Sequence, residues 1–268
     1  GLPDLFESEG YDRTHMRLPE CQTEMIEAVA AVQKHVVVVL HNGSPVEMPW
    51  LSSAEAVLEL YLGGQGVGTA AARLLYGLAN PSGKLPETFP LRLEDTPSYL
   101  NFPGDGYTVE YREGVYVGYR YYDKKNMPVL FPFGYGLSYT SFSYGKLRLS
   151  KNKMTDRDKV TVQVDVTNTG KTAGKEVVQL YVEDRTGTPG RPVRELKGFE
   201  KISLEPGETK TVAMELGKRA FAWYNTGIGD WYCTPGAYGI HMAKSSRQSV
   251  LEQKSEIEST HKLPFAVT

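Results

Sequence analysis

The sequence predicts two domains of different class: an α/β layered domain with a mostly parallel sheet, followed by an all-β antiparallel sandwich. Three observations carry this reading. Apolar patterning at the start of the chain runs helix, strand, strand, helix with short connections. From about residue 143, short alternating segments recur with turn residues between them. Between these regions the chain turns aromatic: twelve of its 29 aromatic residues fall from Tyr99 to Tyr139, with no long regular period. The expected layout is therefore 1–94 for the α/β domain, 95–142 for an aromatic-rich connecting segment and 143–268 for the sandwich.

The first helix follows Leu18-Pro19-Glu20. Proline suits a first helical position, and an acid suits the positive end of the helix dipole. Met25, Ile26, Val29 and Val32 recur at helical spacing and predict one apolar face. His35 to Leu40 is a continuous β-branched run, the pattern of a strand buried on both faces. Asn42-Gly43-Ser44 fits a glycosylation acceptor, but directly after this run it reads as a strand-ending turn. Ser52 and Glu55 predict a capping box, and Ala56 to Leu62 a second strand.

The glycine cluster Gly63-Gly64-Gln65-Gly66-Val67-Gly68 then precedes a predicted helix from Thr69 to Leu78. Its spacing fits neither dinucleotide nor P-loop patterns, so close strand-to-helix packing is its expected purpose. Asn80 to Pro86 forms a turn-rich exit. The aromatic stretch that follows reads as packing at a domain interface or as stacking on sugar faces.

In the second half, Val160 to Val166 alternates strictly, so one face is apolar and the other polar. Asn168-Thr169-Gly170 turns the chain. Further strands are expected at Val177–Val182, Lys201–Leu204, Thr211–Leu216, Trp231–Met242 and Val250–Ile257. His241 falls within a strand pattern and reads as a packed residue.

Composition narrows the function classes. The net charge of −2 gives no basic excess for nucleic acid or an anionic membrane. The run Val36–Leu40 is far too short for a membrane span. No signal-peptide pattern follows Gly1, and the compartment stays open. Cys21 and Cys233 fall in different predicted domains and are expected to be free thiols.

Ser8-Glu9-Gly10-Tyr11-Asp12-Arg13 sets two acids, a cation, an aromatic and a glycine into six residues without periodicity, as a loop does. Loops on rigid scaffolds often carry chemistry, which makes Glu9 a candidate catalytic acid. A merely solvated charged loop is the alternative. Asp12 and Arg13 are expected to form a local ion pair that shapes the loop.

Taken together, several segments resemble the C-terminal portion of family three glycoside hydrolases, the β-glucosidase family. They are Glu7 to Arg13, Gly43-Ser44-Pro45-Val46-Glu47, Gly64-Gln65, Asn80 to Pro86, Val117-Gly118-Tyr119-Arg120-Tyr121-Tyr122 and Phe131 to Tyr139. Val166 to Gly170 and Gly174 to Val182 extend the likeness into the sandwich. The resemblance implies a (β/α)8-type barrel, an α/β sandwich domain and a fibronectin type III-like domain. It implies that the barrel holds an aspartate nucleophile and most of the glucose pocket. It maps the general acid/base onto Glu9, and it maps an aromatic lining the leaving-group subsite onto Tyr11.

No cofactor or metal is implied. The implied partners are a β-glucoside or cellobiose-like sugar and the barrel domain of the same enzyme, with no nucleic acid and no membrane; a homo-oligomer is left open. By the same resemblance the chain starts inside the α/β domain, so Gly1 reads as a cut and the chain as a fragment nearly inactive alone. Gly66 stands where many members have an acid. The alternatives are a non-catalytic carbohydrate-binding or barrel-capping module, or a β-xylosidase specificity.

Overall fold

Residues 1–260 are described by a computed structural model. The last eight residues of the expected sandwich, 261–268, lie outside the described residues. The chain forms two compact units. One comprises Gly1–Ala79, Thr88–Tyr111 and Pro128–Phe131; the other comprises Asn80–Glu87, Arg112–Met127 and the chain from Pro132 onward. Residues 95–142 thus divide between the two.

In the first unit, α1 (Glu20–Val32) begins one residue after Pro19, which caps it in an extended conformation. The expected apolar face is only partly covered. Ile26 is buried, whereas Met25, Val29 and Val32 are exposed. A helical stripe is buried only where another layer meets it. Strands β1 (Val37–Leu40) and β2 (Ala56–Glu59) pair in parallel, from Val37 opposite Ala56 to Leu40 opposite Glu59. Val38 and Leu40 are buried but Val37 is exposed, so β1 is not covered equally on both faces.

Strand β2 stops at Glu59, short of Leu62. The Glu59 carboxylate accepts the Tyr61 N–H at 2.8 Å, and Tyr61 adopts a φ of 48°. The expected Ser52–Glu55 capping box does not form. A single 3₁₀ turn, Leu51–Ser53, starts there without a side-chain cap. Glu55 is instead drawn to His35, whose Nδ1 lies 2.8 Å from its Oε2. Helix α2 (Val67–Leu75) starts two residues earlier than expected and ends before Gly77, at φ 70°. A side chain at Gly63 would collide with Val67 at the head of α2, so this glycine serves close packing.

The aromatic stretch divides. Phe131 packs edge-on against Phe89 within the first unit, and Phe89 is buried. Within the second, α3 (Tyr119–Lys124) brings Tyr119 into a stack on Phe133, with ring centroids 4.8 Å apart. The Tyr119 hydroxyl accepts the Leu196 N–H at 2.8 Å. Tyr99, Phe102, Tyr107 and Tyr111 remain exposed.

The second unit continues through β3 (Phe142–Tyr144), β4 (Arg148–Leu149), β5 (Lys153–Thr155), β6 (Val160–Asn168), β7 (Gly174–Asp184), β8 (Glu195–Leu204) and β9 (Thr209–Leu216). After the short α4 (Lys218–Phe221) come β10 (Trp223–Asn225), β11 (Asp230–Tyr232), β12 (Gly236–Ser245) and β13 (Gln248–Glu258). One sheet has the order β5-β13-β12-β7-β8; a second has β3-β6-β4, with β9 also on β6; β10 and β11 pair as a separate two-stranded ribbon. All pairings are antiparallel except β13 with β5.

The alternation of β6 works as its sequence requires. Val160, Val162, Val164 and Val166 are all fully buried and share a core with Val178, Leu180, Val182, Ile240 and Met242. Full burial of each such side chain contributes roughly 1.5–3 kcal/mol. The expected strand Trp231–Met242 is two strands, because Thr234-Pro235 turns the chain and Pro235 cannot donate to a ladder. His241 is packed, as expected. It is buried on β12, with Nε2 at 2.8 Å from Glu183 and Nδ1 at 3.2 Å from the Ser249 hydroxyl.

Both cysteines are free. Cys233 is buried, and burial with the nearby Asp156 carboxylate pushes its thiol up to about 11; Cys21 is exposed. A thiol reagent at neutral pH should therefore modify one cysteine in the native chain and both after denaturation. Two fast equivalents in the native chain would contradict the burial of Cys233.

Candidate active site

The acidic loop is built from its stems. Pro3 C=O accepts the N–H groups of Phe6 and Glu7 at 2.8 and 3.1 Å, which turns the chain into the loop. Ser8 and Tyr11 then form an antiparallel bridge, with Glu9 and Gly10 at the tip between them. The Gly10 N–H donates to Ser8 Oγ at 3.3 Å. After the loop, Met16 and Leu18 are buried, and Met16 C=O accepts the Glu47 N–H at 2.8 Å. Both flanks of the loop are therefore fastened to the body of the first unit.

The two glutamates of the motif behave oppositely. Glu7 is committed: its Oε2 accepts the Gly43 N–H at 2.7 Å and its Oε1 accepts the Ser44 hydroxyl at 3.1 Å. Glu9 is exposed and, among the described residues, makes no hydrogen bond or ion pair. A carboxyl group in that condition can give or take a proton from whatever is brought to it.

Tyr11 is half-exposed, and its hydroxyl donates to the Asp4 carbonyl. That bond folds the ring back along the entering stem.

The expected Asp12–Arg13 ion pair is not found among the described residues. Arg13 turns inward instead and donates from Nη1 to Ser44 Oγ at 2.6 Å and to the Pro45 carbonyl at 3.3 Å, with Glu7 at 3.9 Å. Desolvation lowers the pKa of Arg13, opposed by the charges of Glu7 and Glu47. The inward guanidinium finds several acceptors there, whereas Asp12 stays exposed.

Asn42 is fully buried and donates to the Ser44 carbonyl at 2.9 Å and to Glu59 at 3.2 Å. This agrees with reading Asn42-Gly43-Ser44 as a turn, since its amide is occupied. The sequence shows Asn42-Gly43-Ser44 as a turn but does not show that Ser44 meets Glu7 and Arg13. The signal for Glu7 and Ser44 was present in the segments Glu7–Arg13 and Gly43–Glu47, which carry the family resemblance without being linked to each other.

Among the described residues, no group of three or more His, Cys, Asp or Glu side chains is placed to hold a metal. No described helix is long and apolar enough to cross a membrane.

The acidic loop thus lies on a unit with a parallel strand pair, and a two-sheet sandwich follows it along the chain. The chain belongs to the glycosyl hydrolase family 3 C-terminal domain family, which it matches over residues 1–139. Residues 176–246 match a fibronectin type III-like domain. Thermostable beta-glucosidase B of Acetivibrio thermocellus is 57% identical over 98% of this chain. Among solved structures, the Bifidobacterium adolescentis GH3 beta-glucosidase superposes with a TM-score of 0.94 at 40% identity, over 99% of this chain and 39% of that one. The Kluyveromyces marxianus beta-glucosidase in complex with glucose has a TM-score of 0.88 at 44% identity, over 94% of this chain and 30% of that one. The chain spans about a third of the curated relatives it matches, covering 35% of the Acetivibrio thermocellus protein.

Proposed function

We propose that the chain is the acid/base-bearing C-terminal part of a retaining β-glucosidase, with Glu9 as the general acid/base. One observation carries the reading: Glu9 is exposed and uncommitted at the tip between Ser8 and Tyr11, on a turn whose stems are tied down, whereas Asp12, also exposed, lies past the tip on the leaving stem. The names of the relatives supply the substrate class, a terminal β-linked glucose. The domain layout proposed along the chain is 1–94 for the α/β domain, 95–142 for the connecting segment, which divides between the two compact units, and 143–268 for the sandwich.

In this mechanism the nucleophile comes from the barrel domain of the same enzyme. A retaining pair stands about 5 Å apart across the scissile bond. As the nucleophile attacks the anomeric carbon, protonated Glu9 gives its proton to the glycosidic oxygen and the aglycone departs. The Glu9 carboxylate then takes a proton from water, whose oxygen attacks the anomeric carbon and releases glucose and the nucleophile. With its hydroxyl engaged by Asp4, Tyr11 would meet the leaving group through its ring. No step calls for a metal or cofactor.

The test is reconstitution. An aryl β-glucoside is assayed with this chain, with the barrel portion and with both together. Turnover is expected only from the combination. Turnover by this chain alone at enzyme-like rates would falsify the assignment.

A further inference from the structure

Resting on the reading of Glu9 as the acid/base, we propose that Ser44 is a positioning residue: a pin shared by both stems of the Glu9 loop, in the turn after β1, that holds them in register for proton transfer. The loop enters through Glu7 and leaves through Arg13. Each reaches across more than thirty residues of sequence to the same hydroxyl. Ser44 donates to Glu7 Oε1 at 3.1 Å and accepts from Arg13 Nη1 at 2.6 Å. A serine hydroxyl offers one donor and two acceptor positions, so this arrangement uses it in both senses at once.

The surroundings make the pin stiff. The Gly43 N–H holds the other Glu7 oxygen at 2.7 Å, and any Cβ at Gly43 would stand 3.0 Å from the Glu7 carboxylate. The Pro45 carbonyl is a second acceptor for Arg13 at 3.3 Å. From behind, buried Asn42 donates to the Ser44 carbonyl and to Glu59, the last residue of β2. The line of contact therefore runs from the edge of the parallel sheet through Asn42 and Ser44 to both stems, with Glu9 at the far end.

Proton transfer depends steeply on placement, and a misplacement of about 1 Å costs on the order of a hundredfold. Removing the hydroxyl loosens both stems together, leaving Glu7 on the Gly43 N–H and Arg13 on the Pro45 carbonyl, whereas neither Glu7 nor Arg13 touches the reacting atoms in this scheme. Ser44 should therefore act on the proton-transfer step and not on sugar binding.

The test uses the full-length protein carrying this chain. The value of kcat/KM is measured for aryl β-glucosides whose phenols range from strongly to weakly acidic, with thermal unfolding alongside. Ser44→Ala is expected to lose about ten- to a hundredfold on the poorest leaving groups and less than about threefold on the best. Ser44→Thr, which keeps the hydroxyl, is expected to recover most of that loss. Glu7→Gln weakens one stem alone and should show the same leaving-group trend in smaller measure. It also serves as the test variant should Ser44→Ala fail to fold.

Equal losses across all leaving groups, or no loss at all, overturn the proposal, since a purely structural serine would lower the amount of active enzyme without sorting substrates. Glu9→Ala is run beside these variants. If it sorts leaving groups and the Ser44 and Glu7 variants do not, the pin fails alone. If Glu9→Ala does not sort them, the acid/base reading fails and takes the pin with it.

Discussion

Glu9→Ala, made in the full-length enzyme, is expected to lower kcat/KM for an aryl β-glucoside with a poor leaving group by about 10²- to 10⁴-fold. A strongly acidic phenol needs little protonation to depart, so its kcat/KM should fall by about tenfold at most. The slow step for that substrate becomes hydrolysis of the glycosyl-enzyme, which has lost its general base. Azide, a nucleophile that needs no deprotonation, should restore kcat there and yield a glucosyl azide. The effect is large because Glu9 has no competing commitment: its neighbour Glu7 spends both oxygens on Gly43 and Ser44. Equal losses across leaving groups, with no response to azide, would count against Glu9.

The second large effect concerns stability. Asn168→Ala is expected to destabilise the sandwich by roughly 3 kcal/mol, because buried polar groups are left without partners. Asn168 is fully buried at the end of β6. Its Nδ2 donates to the carbonyls of Thr172 and Leu204 at 2.9 and 3.1 Å. Its Oδ1 accepts from the Thr140 hydroxyl at 2.7 Å and the Gly170 N–H at 3.1 Å. Water can replace the amide at exposed Thr172 but not at Leu204, which is completely buried. Asn168→Asp keeps the acceptors, loses both donors and buries a charge, so it should be at least as harmful. Urea unfolding followed through the fluorescence of Trp223 and Trp231 measures both variants, and a loss below about 1 kcal/mol for the alanine variant would refute the account.

The sandwich was legible wherever burial on one face imposes a period of two. Val160 to Val166 is the clearest case, since each apolar position is buried and each intervening one is partly open. The failures have local physical causes. The apolar stripe of α1 suggested a covered face, but covering depends on neighbours that periodicity does not see. Ser52 and Glu55 had capping-box spacing, yet His35, far away in sequence, took the glutamate. Trp231 to Met242 hid a turn at Thr234-Pro235 inside an apolar run.

The active-site loop shows the same limit. Glu9 and Tyr11 could be singled out from composition and likeness. Asp12 beside Arg13 looked like an ion pair because the residues are adjacent, but the guanidinium found Ser44, 31 positions on, at 2.6 Å. Contacts of that kind are made by the fold and leave no mark in local spacing.

The parallel pairing of β5 with β13 has a consequence for how the sandwich is made. Lys153 to Thr155 wait for Glu256 to Glu258, the last strand of the described chain. During synthesis the ribosome delivers residues from the N-terminus, so this edge of the five-stranded sheet stays open until residues 256–258 have emerged. The early strands can form local hairpins in the meantime, as β7 and β8 do. The β5–β13 register is a high-contact-order event that cannot be brought forward. A stall or premature stop before residue 256 therefore releases a sandwich with an unpaired edge, the state most open to intermolecular strand addition.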